Sequence, residues 1–256
     1  MKFRLLALAM AAVCVCSGNL AADDAKDAWA KLVTKKMMRR SEFAYPQRNE
    51  KLPNVFIYGD SISMHYMKPL REELDGVANV YRMYCNGGDT GRYFERMPIL
   101  NEVMRDPKLE GHWDFDWQVI QLNFGLHDMK YLDAKGNYTV EDGKQVRSIE
   151  DYQANLRKIF DDVKKNNPKA KIIFATTTPV PENSRGRIAG DAKKYNQAAL
   201  EVLKDYPEIV VNDLYALSKP HQSEWAKAPT DVHYNSKGQR AQAEQVAKVI
   251  KQVLAD

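Results

Sequence analysis

Cysteine is scarce in this chain: three in 256 residues, at positions 14, 16 and 85. Two of them fall in a stretch built like an export signal. Lys2 and Arg4 are followed by an apolar run from Leu5 to Cys16, and small residues then lead to Leu20-Ala21-Ala22 ahead of Asp23 and Asp24. Residues 1–22 are therefore expected to be a signal peptide, with cleavage after Ala22 or, alternatively, after Gly18, and a secreted or periplasmic product. Valine precedes both Cys14 and Cys16, which argues against a lipoprotein signal. Removal of the leader leaves Cys85 alone, so no internal disulfide can form and the core must hold the fold. The apolar run is too short to span a bilayer, and no later run approaches the roughly 18 residues that a span needs. Excess charge is missing too. The 38 Lys and Arg against 34 Asp and Glu give +4, or +2 without Lys2 and Arg4, too balanced to argue for nucleic acid or an anionic membrane as partner. Spacing of metal-ligand type, internal repeats and the Lys-Ser/Thr ending of a phosphate-binding loop are also lacking. No cofactor or metal is expected.

What is present is an alternation of strand and helix patterns. Trp29, Leu32, Val33 and Met37 suggest an amphipathic helix over 23–40, whose Lys31, Lys35, Lys36, Arg39 and Arg40 form a solvated face. Residues 41–53 read as a connector. Val55-Phe56-Ile57-Tyr58 after Pro53 reads as a buried parallel strand that stops at Gly59, with Asp60 and Ser61 suited to cap the next helix. Helices are predicted at 65–74, 93–104, 192–204 and from Ser148, where Asp151 completes a helix start. Further strands are predicted at 79–84, 118–123, 171–176 and 209–211. A last helix follows a capping box of Ser236 and Gln239. Residues 129–146 are a polar excursion, read as a hairpin or lid beside the site. One α/β domain over 54–256 follows, a three-layer α/β/α sandwich around a five-stranded parallel sheet.

Four chemistry-bearing segments lie at or beyond predicted strand ends: Gly59-Asp60-Ser61, Asn86-Gly87-Gly88-Asp89-Thr90, Gly125-Leu126-His127-Asp128 and Thr230-Asp231-Val232-His233. In open α/β sheets that edge is where ligands bind. Acyl transfer requires a nucleophile, a base to take its proton and donors aimed at the developing oxyanion. Ser61 can supply the first and His233 the second, and the glycine and histidine turns can supply the third. Asp60 and Asp128 are suited to holding turns by local hydrogen bonds. His65 can line a pocket but is by default a packed or surface residue. His112 and His221 are expected to be exposed, and Cys85 to be a small buried residue without a basic partner.

These blocks, in this order, resemble the SGNH/GDSL hydrolase superfamily, over roughly residues 54–254. The resemblance implies Ser61 as nucleophile, His233 as general base, and an oxyanion hole of the Ser61 and Gly88 N–H groups with the third-block side chain. Two departures stand out. The usual Gly-x-Asn-Asp reads Gly125-Leu126-His127-Asp128, so His127 replaces the asparagine, a role an imidazole can fill if its protonated nitrogen faces the substrate. The usual Asp-x-x-His has Thr230 at the acid position. Either Asp231, two residues before the histidine, orients the imidazole, or a Ser–His dyad works with a carbonyl. The expected activity is hydrolysis of carboxylic esters through an acyl-enzyme, on a small-molecule or glycan ester such as an O-acetyl carbohydrate. The alternatives are an O-acetyltransferase using the same pair, a lysophospholipase or arylesterase, and a non-catalytic carbohydrate-binding descendant.

Overall fold

The computed structural model describes residues 24–255, so the expected export signal lies outside the described residues. Asp24 starts the first helix, α1 (Ala25–Leu32), by accepting the Asp27 N–H at 2.7 Å. The amphipathic pattern continues beyond this helix, but the helix does not. Val33 is extended and buried, and the Trp29 indole donates to the Phe43 carbonyl at 2.8 Å, which folds the chain back on itself. The predicted helix over 23–40 is thus cut short, and its remainder and the start of the connector form 3₁₀ turns at Met37–Arg39 and Ser41–Phe43.

The sheet then builds outward from β1 (Asn54–Tyr58), which is buried at every residue. The chain continues through α2 (Ser61–Glu73), β2 (Asn79–Arg82), α3 (Tyr93–Met104) and β3 (Val119–Asn123). A small antiparallel pair, β4 (Tyr131–Leu132) with β5 (Lys144–Gln145), forms the excursion at 129–146, which is a hairpin. There follow α4 (Ile149–Asn166), β6 (Lys171–Ala175), α5 (Asp191–Leu203), β7 (Val210–Asn212), α6 (Leu214–Ser218), α7 (Gln222–Trp225) and α8 (Ser236–Ala255). Ser148 caps α4 through the Asp151 N–H at 3.1 Å. At α8 the cap is Asn235, whose side chain accepts from the Lys237 and Gly238 N–H groups. This displaces the predicted capping box, because Ser236 already sits inside the helix.

Five parallel strands run in the order β2-β1-β3-β6-β7. Right-handed crossovers put α2 on one face and α3, α4 and α5 on the other. The last helix, α8, packs against α2, and α4 packs against α5. The chain leaves β1 toward one edge, then crosses over it toward the other. The carboxyl end of β1 is therefore the switch point of the sheet, where a crevice opens between oppositely directed connections.

Candidate active site

β1 ends at this crevice, and the turn that follows is tightly specified. The Gly87 N–H donates to the Gly59 carbonyl at 2.9 Å. A Cβ on Gly87 would lie 2.7 Å from that oxygen and 2.8 Å from the Tyr58 ring, so only glycine lets the loop after β2 come this close. Asp60, fully buried, accepts the Ile62 N–H at 2.8 Å and caps α2. Burial raises its carboxyl pKa, against the lowering effects of that N–H and of Arg187, His233 and Lys130. Ser61 thus occupies the first turn of α2, where its N–H has no intrahelical acceptor.

The segment before α8 returns to the same crevice. Lys227 N–H bonds the His233 carbonyl at 2.9 Å, and Ala226 bridges Tyr234. His233 Nε2 lies 2.8 Å from Ser61 Oγ, and His233 Nδ1 lies 2.6 Å from Asp231 Oδ1. The same carboxylate oxygen accepts the His233 backbone N–H at 3.0 Å, a short-range turn that an acid two residues upstream can make. Partial burial pushes the Asp231 carboxyl up. The His233 N–H, its ring and its charge outweigh that push and hold the pKa below the usual value. Thr230 is exposed. The structure therefore brings Ser61, His233 and Asp231 together in one chain of hydrogen-bond contacts. A proton moving from Oγ to Nε2 would leave an imidazolium against a carboxylate.

Asp128, fully buried, ties the second and third blocks together. It accepts from Thr90 N–H at 2.9 Å, Thr90 hydroxyl at 2.6 Å and Gly125 N–H at 3.2 Å. Burial lifts its carboxyl pKa to about 7 despite these bonds. Gly88 has φ +73°, a left-handed conformation that favours glycine. Its N–H donates to the Asn86 side chain at 3.0 Å, so serving an oxyanion would require an exchange of partners. Gly88 and His127 line one cleft of about 380 Å³.

His127 is half-buried. Burial comes first, with the charges of Lys130, Arg187, Arg96 and His233 behind it, in holding its pKa well below the usual histidine value. Lys130 Nζ lies 2.8 Å from His127 Nδ1. An ammonium has only donors, so Nδ1 must accept, and the ring proton is confined to Nε2. Sequence reasoning passed over Lys130. Its signal was its place three residues after His127 on the same turn.

Of the other histidines, His65 lies against this chain of contacts, whereas His112 and His221 make their contacts elsewhere. The His65 ring packs 4.9 Å from that of His233, and its buried Nδ1 has no hydrogen-bond partner. Burial, then His233 and Arg40, lowers its pKa to about 4. His221 is exposed and stacks on Trp225. His112, expected to be exposed, is instead half-buried, because the turn at 109–112 brings its Nδ1 to the Leu109 carbonyl at 3.0 Å. Cys85 is half-buried, and burial raises its thiol pKa. Among the described residues no three His, Cys, Asp or Glu gather as metal ligands, and no helix is long and apolar enough to cross a membrane.

Residues 57–241 match the model of the GDSL-like Lipase/Acylhydrolase family. Among solved structures, the chain is similar to an acetyl xylan esterase, AlAXEase, with TM-score 0.56 and 16% identity over 77% of this chain and 99% of that one. A carbohydrate esterase family 3 protein from Talaromyces cellulolyticus gives TM-score 0.55 and 15% identity, covering 80% of this chain and 99% of its own. A GDSL-like lipase from Bacteroides thetaiotaomicron gives 0.54 and 13%, covering 88% and 98%. At such identities the likeness is one of fold. No curated protein matches the sequence.

Proposed function

Because this chain belongs to the GDSL-like lipase/acylhydrolase family, and is by that membership a carboxylic ester hydrolase, we propose that Ser61, His233 and Asp231 carry its reaction. Ser61 Oγ attacks the ester carbonyl while His233 Nε2 takes the hydroxyl proton. Asp231 orients the imidazole through Nδ1–H and stabilises the imidazolium. The carbonyl oxygen, now an oxyanion, receives the Ser61 N–H and the Nε2–H of neutral His127. The Gly88 N–H joins them when it leaves Asn86. Collapse of the tetrahedral intermediate expels the alcohol, which takes the proton from His233 and leaves an acyl-serine. Water, deprotonated by His233, then attacks that ester and releases the acid. The observation that carries this reading is the unbroken pair of contacts, 2.8 Å from Ser61 to His233 and 2.6 Å from His233 to Asp231.

The substrate we infer is an O-acetylated carbohydrate, acted on outside the cytoplasm. Support for the first comes from the similar folds of an acetyl xylan esterase and a carbohydrate esterase. Support for the second is the signal-like composition of residues 1–22. The experiment is acetate release from acetylated xylan and p-nitrophenyl acetate by the chain from Asp23 onward, beside Ser61→Ala and His233→Ala. Turnover of both esters, with each variant reduced by at least about 10³-fold, is expected. Activity surviving in either variant would overturn the assignment of its residue, and hydrolysis of the nitrophenyl ester alone would overturn the carbohydrate substrate.

A further inference from the structure

The cleft shared by Gly88 and His127 carries an unbalanced charge. Its walls include Arg92, Arg96 and Lys130 against one carboxylate, Asp89. That carboxylate is already answered, since Arg147 Nε donates to it at 2.8 Å and the Gly91 N–H at 3.1 Å. Arg92 is held by Glu95 at 2.7 Å. The remaining two cations have no acidic partner within ion-pair distance among the described residues. Arg96 donates to the Asn86 carbonyl. Lys130 donates to a neutral imidazole, and its ammonium sits 5.5 Å from the Tyr138 ring centroid. Arg187, whose charge also acts on His127, makes no ion pair within that distance among the described residues, and it donates from Nε to the Leu126 carbonyl at 2.9 Å.

Half-buried cations without counter-charges are costly. The bonds they make here satisfy their donors but leave the charge unanswered, since a carbonyl and a neutral imidazole carry no counter-charge. An anion entering the cleft would recover the desolvation already incurred and would meet the planar donor fork of Arg96. Building on Ser61 as nucleophile, we propose that this cleft is a substrate subsite for an anionic group, a carboxylate or sulfate borne by the ester itself. The preferred substrate is then an ester of an acidic molecule, such as an acetylated acidic sugar, in preference to its neutral counterpart. The anion sits beside the carbonyl oxygen, since Gly88 and His127 are common to the cleft and to the proposed oxyanion hole.

Two matched pairs of esters test this and separate the two places the charge can reside. For the acyl side, mono-p-nitrophenyl succinate is compared with p-nitrophenyl butyrate. For the alcohol side, an O-acetyl methyl glucuronide is compared with the corresponding O-acetyl methyl glucoside. In one pair, kcat/KM is expected to be about tenfold or more higher for the anionic ester, the size of one charge-assisted hydrogen bond. That preference should shrink as salt rises and fall toward unity in Arg96→Gln combined with Arg92→Gln. Taking the ratio within each enzyme removes any general effect of these changes on the chemistry. Inorganic sulfate should also inhibit the wild type competitively, more than chloride at equal ionic strength. A ratio at or below one in both pairs would overturn the subsite while leaving the hydrolase reading intact, as would a preference unchanged in the double variant. Absence of turnover on all four esters would instead sink the nucleophile assignment, and the subsite with it.

Discussion

His127 brings to its position a difficulty that an asparagine amide does not: an imidazole titrates and has two neutral tautomers. Burial and surrounding cations settle the first by lowering its pKa well below the ordinary value. Lys130, 2.8 Å from Nδ1, settles the second. Lys130→Met should therefore lower kcat by about tenfold or more, a fraction of the roughly 10²–10³ that losing an oxyanion donor costs. In a His127→Asn background, where the amide has no tautomer to set, the same change should cost much less. Equal losses in the two backgrounds, measured on p-nitrophenyl acetate, would remove Lys130 from this role. At this scale the sequence was unevenly legible. Ser61, Gly88, His127 and His233 stood out through motif order. Asp231 could be named only as one of two options, because whether an acid two residues upstream reaches Nδ1 depends on the local backbone turn. Lys130 and Arg96 were invisible. A lysine or arginine in a polar stretch reads as solvated until tertiary structure shows what its head group touches.

Among the elements, the sheet and its connections were written in alternating apolar runs and polar breaks, since a strand buried on both faces leaves a short continuous apolar run. Where periodicity outran the element, as at the end of α1, tertiary packing of Trp29 and Val33 set the boundary. The cap of α8 was misplaced by one residue for a related reason: Asn235 and Ser236 are both good caps, and only the backbone decides between them. The two loops that meet beneath Ser61 form a close junction. Gly87→Ala would drive a methyl group against the Gly59 carbonyl and the Tyr58 ring, so it should destabilise the protein by about 1–3 kcal/mol. It should also lower kcat by shifting the turn that carries the nucleophile. Urea unfolding beside esterase rates checks both, and a variant as stable and as active as wild type would show that the junction is looser than these contacts imply.

For the whole molecule, buried titratable groups set a pH dependence with two opposing parts. His65 has a folded pKa of about 4, lowered from 6.5 first by burial. Between those values the unfolded chain binds a proton that the folded chain refuses, so this contribution to stability falls as pH drops through that window. His127 acts in the same direction. Asp128 acts oppositely. Its pKa of about 7, raised from 3.8 by burial, lets the folded state take up a proton first, so acidification from 7 toward 4 favours folding. A comparison isolates the first term: His65→Gln should lose less stability than wild type between pH 7 and 4.5 in parallel urea titrations. Parallel pH profiles would contradict a half-buried His65 that stays neutral.

Every other role proposed at this site depends on Ser61 becoming the acyl carrier. The direct measurement is rapid acid quench of the enzyme turning over p-nitrophenyl acetate, followed by peptide mass analysis. A single acetyl group on the peptide containing Ser61, present in wild type and missing in His233→Ala, is the predicted result. Turnover with no acetylated serine, or with the acetyl group on another residue, would contradict it.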